Sequence, residues 1–393
     1  MRILMLSDES HDASMGGPKV ALKLRQELTA LGHGCDLLFR PDLGDRPRNP
    51  RLRLAVSPWL ARQAADRALR RAAAAGVPYD VIDAASAEGW LLPRRAGGPA
   101  VVARSHGLEH RYYQALLEDA RSGLIHKPLT HRIWFPAVRL TQVAAALRRA
   151  DRVIALNRAD RARILARGWQ PAERVEIVPH GVDAARWAQA PDREAPRGQG
   201  ILFCGWWTTS KGVAYLAQAY AQLWQRGLKI PLTLLGAGSG PGFEAPIRAA
   251  LPAAAQPLLR VLPRTADEDA VFAAYRSHDL LVCPSTSEGF GLVVVEAMSQ
   301  RLPVICSREV GAADLLTHAQ DSWVVPARDA AALAAAMAHL WTDPRLRGEL
   351  GEHGYRRCAT LHWSAVAART AACYAAAIRV RGSVAAARGI MPV

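Results

Sequence analysis

Short apolar strands alternate with helical stretches along this chain, and the alternation runs through twice. "RILML" (2–6) is followed by "KVALKLRQELTALG" (19–32) and "CDLLF" (35–39), and "YDVID" (79–83), "AVVAR" (100–104), "DRVIAL" (151–156) and "RVEIVP" (174–179) continue the series. A stretch rich in Pro, Gly and charge, "AQAPDREAPRGQG" (188–200), reads as a linker. The pattern restarts with "ILFCG" (201–205), "IPLTLLG" (230–236), "LLRVLP" (258–263), "HDLLVCP" (278–284), "LPVIC" (302–306) and "SWVVP" (322–326), before helices over 329–341, 346–361 and about 364–378. Continuous apolar strands separated by helices are what parallel βαβ units covered on both faces require. The expectation is two doubly wound α/β domains, 1–190 and 191–363, with a C-terminal helix and tail over 364–393 packing back towards the first. Ligands of such domains bind at the carboxyl ends of the strands, here in the cleft between the two.

At 393 residues the chain can fill two cores. Half the residues are hydrophobic and 22% are charged, the balance of a soluble globular protein. No apolar run is long enough to span a bilayer, and "MRILMLSDES" reads as a strand followed by acidic residues, not a signal peptide. Six scattered cysteines without a C-x-x-C pair suit small buried thiols in a reducing cytoplasm. The net charge of +15 fits phosphorylated small molecules, anionic lipid or nucleic acid as partners, although an Arg- and Ala-rich coding bias produces the same balance. Aromatics are only 6%, and no helix interleaves them with arginine, which disfavours nucleic acid.

The most informative stretch is "SEGFGLVVVEA" (287–297). It runs from a loop into a helix, with Glu288 in the loop and Glu296 about one turn inside the helix, roughly 7 Å along its axis. Glycines let backbone approach a ligand, and a helix start offers N–H groups and a positive dipole end. A nucleoside diphosphate sugar has matching spacing: sugar at Glu288, diphosphate at the helix start, ribose at Glu296. Two solvent-facing glutamates on an ordinary strand–turn–helix unit are the alternative.

Three other patterns are weaker. "HGLEH" (106–110) satisfies the H-x-x-E-H zinc pattern but directly follows a strand and lacks an evident third ligand, so no metal is expected. "DED" (267–269) suits the capped first turn of a helix. "GAGSGPG" (236–242) places Pro241 where a dinucleotide motif needs glycine.

The segment "EGFGLVVVEAMSQRLPVI" (288–305) resembles the E-x7-E segment of the family-4 retaining glycosyltransferases (glycosyl transferases group 1), which have the GT-B fold. Further pieces are similar in order: Gly16-Gly17, "SHGLE" (105–109), "VEIVPHGVDAARW" (175–187), "ILFCGWWTTSKGVAYLAQAY" (201–220), "LTLLGAGSG" (232–240) and "DAAALAAAM" (329–337). The resemblance implies two Rossmann-like domains facing across a cleft, and metal-independent transfer of a sugar from a nucleotide-sugar donor with retention of configuration. The first domain would take the acceptor, a saccharide, lipid-linked or small molecule, and the second the nucleotide sugar. It implies catalytic roles for Glu288, Lys211 and His106. Gly16, Gly17, Lys211, Glu288, Gly289, Phe290, Gly291, Leu292 and Glu296 would bind the donor, with no cofactor. Read from the residues alone, His106 is equally a satisfied core histidine. The sequence departs from the family pattern at Trp206, where Arg is usual, and at Arg301, where Gly is usual. A phosphorylase or nucleotide-sugar epimerase of similar fold, or a non-catalytic sugar-nucleotide-binding protein, are the alternatives.

One further stretch, "SPWLARQAADRALRRAAAAG" (57–76), reads as a basic amphipathic helix beginning at Ser57-Pro58. Leu60, Ala64, Ala65, Ala68, Leu69 and Ala72 share its apolar face, and Arg62, Arg67, Arg70 and Arg71 spread over the rest. Such a helix either lies peripherally on an anionic membrane or packs on the first domain.

Overall fold

Among the described residues, twelve short strands form two six-stranded sheets, and every pairing is parallel. The computed structural model describes residues 1–12, 15–44, 47–95, 97–192 and 197–387. Residues 193–196 of the expected linker and the tail beyond 387 lie outside the described residues.

The first sheet holds β1 (Arg2–Leu6), β2 (Gly34–Leu38), β3 (Val81–Ala85), β4 (Ala100–Arg104), β5 (Arg152–Ala155) and β6 (Val175–Ile177), in the order β2-β1-β3-β4-β5-β6. The second holds β7 (Ile201–Cys204), β8 (Leu232–Leu235), β9 (Leu259–Leu262), β10 (Leu280–Cys283), β11 (Val304–Ser307) and β12 (Trp323–Val325), in the order β12-β11-β10-β7-β8-β9. β3, β4, β8, β10 and β11 are buried along their whole length, as strands covered on both faces must be. Each sheet reverses its strand order once, between β1 and β3 and between β7 and β10. Doubly wound sheets place their ligands at such points.

The chain forms two compact units. The first comprises Met1–His110, Lys127–His180 and the last helix from Trp363. The second comprises Arg111–His126 and Gly181–His362. In the first unit the last helix is fixed through a buried network. Arg104 Nε donates to Asp83 Oδ2 at 2.8 Å, and Arg104 Nη2 lies 3.2 Å from the Tyr374 hydroxyl, which also donates to Asp83. Burial works against the Arg104 charge, but Asp83 and Tyr374 together outweigh it and raise the guanidinium above its ordinary value. All six cysteines are free thiols.

The helix expected from Ser57 begins earlier, at Pro50, and runs to Ala74. Asn49 caps it by accepting from the Arg51 and Leu52 amides at 2.9 and 3.3 Å, with Pro50 at the first position. Pro58 therefore lies inside the helix and cannot donate to the Leu54 carbonyl; the Ser57 hydroxyl stands 3.3 Å from that carbonyl. Ala64, Ala65 and Ala72 are buried in a core cluster of the first unit, and Leu60 is buried beside them in the chain. Of the two readings of this face, packing on the first unit is the one the burial of these residues supports.

Candidate functional site

Two loops meet at the order reversal of the second sheet. One follows β7 and carries Gly205, Trp206 and Lys211; the other follows β10 and carries Ser285 to Gly291. The Thr286 amide donates to the Ser210 carbonyl at 2.8 Å and joins them. Gly212 closes the first loop at φ +72°, and a Cβ there would stand 1.9 Å from the Pro284 carbonyl oxygen. The Lys-Gly pair thus has a steric cause: only glycine lets the lysine loop approach β10 this closely.

Beyond β10 the chain is braced by residues 309–312. Glu288 N donates to Glu309 O at 3.2 Å, Gly311 N to Glu288 O at 3.1 Å and Ala312 N to Phe290 O at 2.7 Å. Gly291, at φ +88°, caps the helix Leu292–Ser299, and a Cβ there would meet Val310 Cγ1 at 2.6 Å. The helix points its positive end at the loop, where an anion is stabilised.

Three charged side chains surround this helix start. Lys211 Nζ ion-pairs with Glu288 Oε2. Burial disfavours the ammonium, but the Glu288 carboxylate together with nearby Cys283 and Cys204 holds Lys211 above the ordinary lysine range. Glu296, on the fifth helical residue, is 9% exposed and accepts from the Tyr275 hydroxyl at 3.1 Å. Trp206 is 39% exposed, and the Arg264 guanidinium carbon lies 5.9 Å from its ring centroid. A cation therefore reaches the loop where the usual arginine is missing, from a different strand end.

Several supporting residues have no local signature in the sequence. Asp119 is 2% exposed and accepts from Thr286 Oγ1 at 3.3 Å and from Arg328 Nε at 3.1 Å. Arg111 Nη2 donates to Glu309 at 2.8 Å. The segment Arg111–His126 thus braces both the Glu288 loop and its 309–312 support. These partners are far apart in sequence, so no local spacing reveals them.

Gly16, Gly17 and His106 belong to the first unit. Gly16 and Gly17 open the helix Gly16–Ala30 after β1, and His106 follows β4. Burial and then the Arg104 charge lower the His106 pKa to about 4, so its imidazole is neutral at physiological pH. Its ring centroid lies 6.3 Å from that of His180, which burial also holds well below the usual histidine range. The H-x-x-E-H residues diverge: Glu109 accepts from Arg139 at 2.8 Å, and His110 packs on Trp169 at 4.5 Å. In the D-x-D stretch, Asp267 caps the helix Glu268–Ser277 by accepting from the Asp269 and Ala270 amides. Arg301, in place of glycine, sits at φ +56° just after the helix Leu292–Ser299. It is held by Glu352 at 2.9 Å, the Pro191 carbonyl at 2.7 Å and the face of Tyr355.

Two Rossmann-like sheets, the second presenting a glycine-capped helix between two glutamates, define a two-domain α/β protein of the GT-B class. A family model described as glycosyltransferase family 4 matches residues 15–186, and one described as glycosyl transferases group 1 matches residues 198–343. The chain belongs to this family of glycosyltransferases. A D-inositol 3-phosphate glycosyltransferase from Pseudarthrobacter chlorophenolicus is 32% identical over 240 residues, which are 58% of this chain and 56% of that relative. The chain thus spans little more than half the length of that relative. Sucrose-phosphate synthase from Thermosynechococcus elongatus superposes with a TM-score of 0.70 at 23% identity, over 95% of this chain and 98% of that one. HepE of Anabaena, solved with UDP-glucose, gives a TM-score of 0.66 at 16% identity, over 95% of this chain and 98% of that one. At these identities the likeness is one of fold.

Proposed function

We propose that the protein is a retaining, metal-independent glycosyltransferase that takes its nucleotide-sugar donor in the second unit and its acceptor in the first. The observation that carries this reading is the helix start at Gly291, flanked by Glu288 and Glu296 and faced by Lys211. The diphosphate sits on the backbone at Gly289, Phe290, Gly291 and Leu292. Lys211 and these amides take up the charge that develops on the leaving group. Glu288 orients the sugar hydroxyls and Glu296, set by Tyr275, the ribose. For attack on the face the leaving group departs from, the departing phosphate oxygen accepts the acceptor proton. His106, neutral, supplies a hydrogen-bonding group to sugar or acceptor, and Gly16-Gly17 let the first unit's backbone approach the donor. No cofactor enters the reaction.

The acceptor is a saccharide, a lipid-linked molecule or a small molecule such as an inositol phosphate, the class named by the relative above. The work is placed in the cytoplasm, with peripheral contact at an anionic membrane. A thermal-shift panel of UDP-, GDP- and ADP-sugars tests the donor, UDP-glucose first; ligand at ~100 times Kd adds about 2.7 kcal/mol. No shift with any nucleotide sugar would overturn the reading. A second reading, a non-catalytic sugar-nucleotide-binding protein, is favoured by Trp206 in the place of arginine. Donor turnover with acceptor present separates the two. Turnover without acceptor would indicate an epimerase, and sugar phosphate formed from free phosphate a phosphorylase.

A further inference from the structure

β2 is the outermost strand of the first sheet, and among the described residues it is the one strand of that sheet without a buried residue. Strands of doubly wound sheets are covered by helices on both faces. Here the cover is incomplete, and a cavity of about 520 Å³ lies along β2. The cause is in the helix Pro50–Ala74. It sets Ala68, Ala72 and, at its cap, Ala75 along the cavity, four and three residues apart on one face. Only methyl groups therefore stand where larger side chains would fill the space. The volume is that of a small-molecule site.

The lining combines apolar surface with a surplus of positive charge. Leu37 and Leu38 face the alanines, and Asp36 is the one acidic residue of the wall. Asp36 is already engaged: Arg2 Nη2 donates to its Oδ2 at 3.0 Å, and the Tyr79 hydroxyl donates to the same oxygen. Arg25, from the helix Gly16–Ala30, and Arg71, from the helix Pro50–Ala74, also line the cavity and form no ion pair among the described residues. Two guanidinium groups without a carboxylate suit one dianion, and the planar fork of each matches phosphate oxygens. The apolar wall calls for a body beyond the phosphate, since bare phosphate would leave that wall in water.

We propose that this cavity binds a small phosphate monoester with an apolar body, its phosphate held by Arg25 and Arg71 and its body against Leu37, Ala68 and Ala72. Arg2 and Cys35, both in its wall, lie at the amino ends of β1 and β2, whereas doubly wound sheets take their substrates at the carboxyl ends. The cavity shares no residue with the donor and acceptor assignments above and is independent of them.

Phenyl phosphate, which has no ribose or sugar to engage the donor loops, is the probe, and Cys35 is the reporter. Cys35 lines the cavity and, with Cys204, is one of the two thiols that are not buried. Calorimetry on the full chain should find phenyl phosphate bound, and inorganic phosphate or phenol at least about tenfold more weakly, since each lacks one half of the recognition. Bound phenyl phosphate should slow the labelling of Cys35 by N-ethylmaleimide, read by peptide mass mapping, and leave that of Cys204 unchanged. Arg25→Gln/Arg71→Gln should weaken binding at least about tenfold through the loss of charge-assisted hydrogen bonds. Ala75→Trp should block binding by filling the space, and Arg67→Gln, at an exposed arginine of the same helix outside the cavity, should leave it unchanged. All four substituted side chains are exposed, so circular dichroism should show native folding in each variant. Absence of phenyl phosphate binding, undiminished binding by the double glutamine variant, or shielding of Cys204 in place of Cys35 would overturn the site. Inorganic phosphate bound as tightly as phenyl phosphate would overturn the apolar body. A UDP-glucose thermal shift on the same samples reports the donor site separately, so failure of either reading is distinguishable from failure of the other.

Discussion

Lys211 and Glu288, seventy-seven residues apart, form an ion pair that joins the loops following β7 and β10. The two residues proposed to serve different parts of a donor therefore contact each other directly. On the proposed reading, an arriving diphosphate would compete with Glu288 for the ammonium and free the carboxylate for sugar hydroxyls.

Replacing the ammonium tests this. Lys211→Ala should lower kcat/KM about a hundredfold or more, the loss typical of a charge partner in the transition state (roughly 2.7–4 kcal/mol). Steady-state kinetics with excess acceptor decide it, and near-normal kcat/KM would remove Lys211 from the chemistry.

Glu296 and Glu288 should separate in a binding measurement. Glu296→Ala should weaken the free nucleoside diphosphate as well as the full donor, whereas Glu288→Ala should impair transfer and leave nucleoside diphosphate affinity nearly intact. Tyr275→Phe removes one hydrogen bond to Glu296 and should have a smaller effect of the same kind, about 1 kcal/mol. Calorimetry giving equal losses for both glutamates would refute the division.

Histidine burial gives the fold an acid-sensitive range. His106 and His110 both have pKa values lowered to about 4, first by burial and then by nearby arginines. As pH falls, the unfolded chain takes up these protons first, near 6.5. Their contribution to stability is therefore full above about 6.5 and is lost progressively as pH drops towards 4. His106→Gln and His110→Phe should each flatten the fall of Tm over that range, and an unchanged slope in both would contradict the assignment.

Arg301 carries a left-handed backbone that glycine would adopt freely. Arg301→Ala keeps the strain and loses the Glu352 and Tyr355 contacts, while Arg301→Gly loses the contacts and relieves the strain. Urea unfolding should find the alanine variant less stable than the glycine variant by about 1 kcal/mol. The reverse order would mean that the φ angle costs nothing.

Much of the architecture was legible because it is written locally. Apolar runs give the strands, Asp267 gives its cap, and the glycines of "EGFG" give the loop that opens the helix Leu292–Ser299. What escaped depends on partners distant in sequence. Asp119 meets Thr286 and Arg328 across 167 and 209 positions, and nothing in "LEDAR" announces that. Trp206 read as a loss of charge until Arg264 stood over its ring. The Ser57-Pro58 pair mimicked a helix start, but Asn49-Pro50 supplied a better one eight residues earlier within the same periodic stretch.

The segment Arg111–His126 bears on how such chains can be recombined. It comes from the middle of the first unit's sequence but belongs to the second, where Asp119 braces the Glu288 loop. A chimera that exchanges 181–362 alone between relatives would set a foreign loop against this chain's Asp119 and Arg111. The heritable module is therefore discontinuous: residues 181–362 and their sixteen-residue brace have to change together.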